Sequence, residues 1–95
     1  LGGQAKQFGR VVLIQYPIES TWAPAFVTSE TVPPEIQKNF AEKVLSVYVP
    51  TTPNPTSGFY LYVPESKTKH TELSVEDALK LIISMGLIRN ENRNH

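Results

Sequence analysis

The sequence contains no cysteine. That excludes a disulfide framework, a thiolate metal site and a cysteine nucleophile. It has only two histidines, His70 and His95, and neither has a second imidazole at ligand spacing, which argues against a metal site. The Gly-x-Ser-x-Gly turn of a serine hydrolase is missing, as are the glycine spacing and Lys-Ser/Thr pair of a phosphate-binding loop. No catalytic residue, cofactor or metal is assigned. Charge of one sign is also absent: nine basic and nine acidic residues cancel. A neutral chain lacks the electrostatic footprint of a nucleic-acid binder and the polybasic cluster that holds a domain on anionic lipid. No apolar run approaches the ~18–20 residues of a membrane span. No charged-then-apolar signal segment opens the chain. Leu1-Gly2-Gly3-Gln4 reads instead as a cut inside a longer protein, within a linker.

Ninety-five residues fit one domain. Folding at this size hides roughly 60–65% of the extended chain's surface, enough for one thin core. The expected organisation is a flexible linker over residues 1–9, a single α+β domain over 10–88 and a disordered tail over 89–95. Residues 10–16 (Arg-Val-Val-Leu-Ile-Gln-Tyr) form a β-branched and apolar run suited to a strand covered on both faces, and Pro17 ends it. Residues 18–23, with the only tryptophan, Trp22, read as a connection to a second strand over 25–29, making a hairpin with a loop of six to eight residues. Pro33, Pro34 and Glu35 resemble a helix start, and Ile36 and Phe40 fall on one face, so a short helix is expected over 34–42. Residues 43–49 and 59–63 alternate in polarity and flank the loop 50–58, so they should pair. Residues 68–73 suit a fifth, edge strand. Residues 74–85 are the clearest helix. Ser74 and Asp77 have capping-box spacing, Glu76 and Lys80 make an i,i+4 pair, and Gly86 stands where a left-handed residue is wanted. The predicted fold is a small mixed or antiparallel, barrel-like sheet of about five strands, with one short helix and one C-terminal helix.

Two features invite a functional reading. On a helical wheel, Val75, Ala78, Leu79, Leu81, Ile82, Ile83 and Met85 spread over roughly 200°, whereas a helix lying on one sheet needs little more than ~100° of apolar surface. The excess is either covered within the chain or is an oligomer or partner surface, with Leu81, Ile83, Met85 and Trp22 the candidate interface. The loop has three prolines in six residues, Pro50, Pro53 and Pro55, so it is stiff and extended. Thr51, Thr52, Asn54, Thr56 and Ser57 offer hydroxyls and an amide, and Gly58 permits a close approach or a positive φ. The loop is either a rigid connector or a recognition loop for an anion or partner. Asn54-Pro55-Thr56 is no glycosylation acceptor, because proline occupies the middle position. Tyr48, Tyr60 and Tyr62 fall on one face as a candidate stripe, and Glu72, Glu76 and Asp77 as a capping and solvated acidic cluster.

Four stretches carry a family resemblance: residues 12–17 (Val-Leu-Ile-Gln-Tyr-Pro), 25–28 (Ala-Phe-Val-Thr) with Trp22 before them, 49–58, and 74–86. They resemble the soluble domain of the DUF502 membrane proteins, which include the plant continuous-vascular-ring proteins. Gln15 stands for an acid, and Ala25 and Met85 for glycines. The resemblance implies a parent with two membrane-spanning helices before Leu1 and a domain facing the cytoplasm. It implies no enzymatic activity, and so supplies no catalytic residues. The expectation is a non-enzymatic domain that assembles with itself or a protein partner beside a membrane, or alternatively a ligand- or anion-sensing module using the loop.

Overall fold

The structure, a computed structural model, describes residues 8–87. Five strands form one antiparallel sheet: β1 Val11–Gln15, β2 Trp22–Ser29, β3 Val44–Pro50, β4 Gly58–Pro64 and β5 Lys69–His70, in the order β4-β3-β2-β1-β5. Among the described residues two helices accompany it, α1 Pro34–Gln37 and α2 Val75–Ser84. This is the expected α+β arrangement, but the sheet does not close. β4 and β5 are its edges, and the connection between them holds the 3-10 turn Glu65–Lys67. The linker and tail expected over 1–9 and 89–95 lie outside the described residues, except for Phe8 and Gly9. Phe8 stacks on Phe26 at 4.9 Å, and the Gly9 N–H donates to Val27 O at 2.8 Å. No helix of the described residues is long and apolar enough to cross a membrane.

Alternation along the strands sorts side chains onto two faces. One face gathers Val12, Ile14, Ala25, Val27, Leu45, Val47 and Val49, with Leu61 and Val63 packed against them. The other gathers Val11 and Phe26 under Ala78 and Ile82 of α2. The β1 run is apolar at every position through Ile14 because both faces are covered. α2 is held at its start by Ser74, whose Oγ accepts the Asp77 N–H at 3.0 Å. It ends through two left-handed residues, Met85 (φ 58°) and Gly86 (φ 80°).

Several boundaries differ from expectation. β2 begins at Trp22 rather than Ala25, so Pro24 lies inside a strand. Pro24 is tolerated because the β2–β3 ladder stops at the Phe26–Tyr48 pair, which leaves β2 partnered only by β1 there. The first helix has four residues instead of running to Glu42. Beyond it, the Gln37 amide donates to Glu42 O at 2.7 Å and accepts the Val44 N–H at 3.3 Å, while Asn39 donates back to Glu35 O at 3.0 Å. These side-chain bonds replace the helical ones. The fifth strand shrinks to two residues, because the Thr71 hydroxyl donates to Val11 O at 2.8 Å and takes the next place in the ladder. The ion pairs among the described residues do not include Glu76 with Lys80.

Candidate functional site

The β3–β4 ladder runs unbroken to the Pro50–Gly58 pair, so the proline-rich segment is a hairpin connection. Its polar groups turn inward on the loop. The Thr51 N–H donates to Ser57 O at 2.8 Å, and the Thr51 hydroxyl donates to Asn54 O and, at 3.0 Å, to Ser57 O. Asn54 Oδ1 accepts the Thr56 N–H at 3.3 Å. The Tyr48 hydroxyl donates to Pro55 O at 2.8 Å from below, and Pro55 is buried. Asn54, Thr56 and Ser57 remain exposed. Gly58 is demanded by close approach rather than by a positive φ. A Cβ there would lie 2.1 Å from Val49 O and 2.9 Å from Pro50 Cα.

Thr52 does something different from its neighbours. Its hydroxyl donates to Ile82 O, near the C-terminal end of α2, tying the loop to the helix across 30 residues of sequence. Between them lies a groove of about 430 Å³ lined mainly by Leu13, Pro24, Pro50, Leu81, Ile82 and Met85. The groove therefore joins the two features singled out in the sequence. Thr52, Leu81 and Met85 meet in it, whereas Ile83, Trp22 and the remaining loop candidates Thr51, Asn54, Thr56, Ser57 and Gly58 lie outside its lining.

The wide apolar arc of α2 is covered only in part. Ala78 and Ile82 are buried, and Val75, Leu79 and Leu81 are half-buried. Ile83 is 53% exposed and Met85 61%, and Leu87 just beyond is 77% exposed. Trp22 is 39% exposed, with the Lys69 ammonium 4.6 Å from its ring centre. Ile18 (60%) and Phe59 (51%) are exposed at the same end of the sheet, where the Tyr16 ring meets Phe59 at 5.5 Å.

The other candidates fall elsewhere. Tyr48, Tyr60 and Tyr62 do share a face, since Tyr48 pairs with Tyr60 and Ser46 with Tyr62. The Tyr60 and Tyr62 hydroxyls are 2.8 Å apart. Hydrogen bonding from Tyr62 and then Ser46 lowers the Tyr60 pKa, and the same Tyr60–Tyr62 contact raises that of Tyr62. His70 Nε2 lies 2.7 Å from Glu72 Oε2 on an open surface. Among the described residues, no three of His, Asp and Glu gather as metal ligands.

One cluster has no local sequence signal. At the opposite end of the sheet, Arg10 holds Glu30 through Nε at 2.9 Å and Glu65 through Nη2 at 2.8 Å, and Lys43 reaches Glu30 at 3.3 Å and Glu65 at 3.6 Å. The four residues sit beside the ends of β1, β2, β3 and β4, and only the register brings them together. The Arg10 hydrogen bond lowers the Glu30 pKa, and its return raises that of Arg10.

A family model described as a protein of unknown function (DUF502) matches residues 1–57. The match spans more than half of the chain and includes β1, β2, β3 and the loop through Ser57, and the chain belongs to the DUF502 family. No curated protein and no solved structure matches it.

Proposed function

We propose that this chain is a non-enzymatic assembly domain of a membrane-anchored protein, facing the cytoplasm, and that it contacts a second copy of itself through the C-terminal end of α2. The observation that carries the reading is the set of exposed apolar side chains Ile83, Met85 and Leu87 at the C-terminal end of α2, where Leu81, Ile82 and Met85 line an apolar groove. Projecting apolar side chains next to an apolar groove suit an isologous contact, the kind a twofold axis pairs. Exposed apolar surface of this kind marks contact sites more often than chance. The membrane anchor and the cytoplasmic side are supported by the family resemblance, which implies two spans before Leu1.

The loop supports the same reading as a stiff wall of the groove. Its hydroxyls at Thr51 and Thr52 are committed to carbonyls within the chain, which disfavours the alternative of an anion-sensing loop. Sedimentation across a concentration series tests the proposal. The mass should rise toward that of a dimer, and Ile83→Asp should return it to the monomer without lowering the melting temperature. An unchanged monomer at millimolar concentration, or a dimer indifferent to Ile83→Asp and Met85→Asp, would overturn it.

A further inference from the structure

We infer that the tip formed by residues 16–24 and 49–59 is a seat for an uncharged lipid surface. Pro24, Pro50 and Thr52 of this tip also wall the groove beside α2, but the side chains proposed to enter lipid, Ile18, Trp22 and Phe59, lie outside that groove. The two segments hold twenty residues and one charge, Glu19. They end on one side of the sheet, since β1 hands over to β2 there and β3 to β4. Ile18 and Phe59 are exposed on that side, and Trp22 is partly exposed at the start of β2.

Three properties favour lipid over a protein partner or water. First, the exposed apolar groups sit on two neighbouring turns and form a projecting end, and a projecting end can enter an interface without a matching pocket. Second, desolvating this end costs little for its size. Five of the twenty residues are prolines (Pro17, Pro24, Pro50, Pro53 and Pro55) and bring no N–H into a medium that cannot hydrogen-bond it. Several polar groups of both turns are spent internally: the Thr21 hydroxyl donates to Tyr16 O at 2.9 Å, and the Tyr48 and Thr51 hydroxyls donate to loop carbonyls. Third, Trp22 stands behind the tip with the Lys69 ammonium over its ring. An aromatic ring with an apolar body, backed by a lysine that can reach the headgroups, is the arrangement that anchors proteins at a membrane–water boundary. The two segments hold no lysine or arginine, so they offer no basic cluster for electrostatic attraction to anionic lipid. Binding should therefore be the same on zwitterionic and anionic bilayers and insensitive to salt.

Trp22 is the only tryptophan and reports its own environment. Phosphatidylcholine vesicles titrated into the full chain should shift its emission to the blue and shield it from iodide, at 50 mM and 500 mM salt alike. Ile18→Asp and Phe59→Asp should each weaken the apparent partition about tenfold. Glu19→Gln should strengthen it, and Phe40→Asp, at the far end, should leave it unchanged. Melting curves identify any variant that has lost its fold, and Ile18→Asp, at an exposed turn, keeps the test available if Phe59→Asp is unstable. No blue shift at millimolar lipid overturns the inference. So does binding that appears only with anionic vesicles, or a shift that follows protein concentration without lipid, which would assign the tip to a second copy. Ile83→Asp separates the two proposals, since it should abolish dimers while leaving vesicle binding intact.

Discussion

The two ends of the sheet are built from different chemistry. At one end, the connections 30–43 and 65–67 carry seven charged residues in seventeen, and four residues there (Arg10, Glu30, Lys43 and Glu65) interlock as ion pairs. At the other end, the two turns carry one charge in twenty, and the C-terminal end of α2 adds exposed apolar side chains and an apolar groove. An antiparallel meander makes such segregation simple, because its connections fall alternately at opposite ends. A neutral total charge therefore conceals a polarised molecule. The difference also extends to how each end is held. The charged end relies on side chains that are a third to a half exposed, whose pairings are individually weak. The apolar end relies on close backbone approach and on hydroxyls bonded to carbonyls.

That contrast can be broken first at Gly58. A Cβ there meets the backbone of Val49 and Pro50, which cannot move without opening the hairpin. Gly58→Ala should cost about 3 kcal/mol in urea unfolding, as forced overpacking does, and a variant as stable as wild type would show that the turn yields. Thr52→Val keeps the shape and removes the bond from the loop to Ile82 O. It should cost about 1 kcal/mol and loosen the groove, seen as larger amide shift changes at residues 81–86 than at β1. The smallest effect belongs to the charged end. Glu30 has a lowered pKa in the fold because Arg10 hydrogen-bonds its carboxylate. Its contribution is present above the ordinary carboxylate value of 4.5 and is lost as pH falls through the lower folded value. Melting temperature should drop on acidification below about pH 4.5, and Glu30→Gln should flatten that drop while costing no more than about 1 kcal/mol at neutral pH.

Local patterns made much of this fold legible. The alternation of β3 and β4, the apolar run of β1 and the Ser74 cap each announce themselves within a few residues, and each stands where expected. What escaped depends on partners far along the chain. Pro24 reads as a break in a strand, yet it is accommodated because the β2–β3 ladder ends before reaching it. Ile36 and Phe40 suggest a longer helix, but Gln37 and Asn39 use their amides on the backbone. The Arg10–Glu65 contact spans 55 residues and leaves no local trace. For the candidate site, the over-wide apolar arc of α2 was visible in the sequence. Its meeting with Thr52 at the groove was not, because the strand order decides that contact.

The strand order also has a consequence for the sequence of assembly. β1 to β4 pair with their neighbours in the chain, so three hairpins can form by short loop closures. β5 and α2 must instead return from the far edge to lie beside β1 and β2. They make far fewer contacts with the sheet than β1 to β4 make with one another, and regions of low contact density open first in native fluctuations. Amide exchange should therefore be faster in α2 than in β2 and β3. The groove would then be a transient feature of the native ensemble, lost each time the last helix lifts away while the sheet beneath it stays intact.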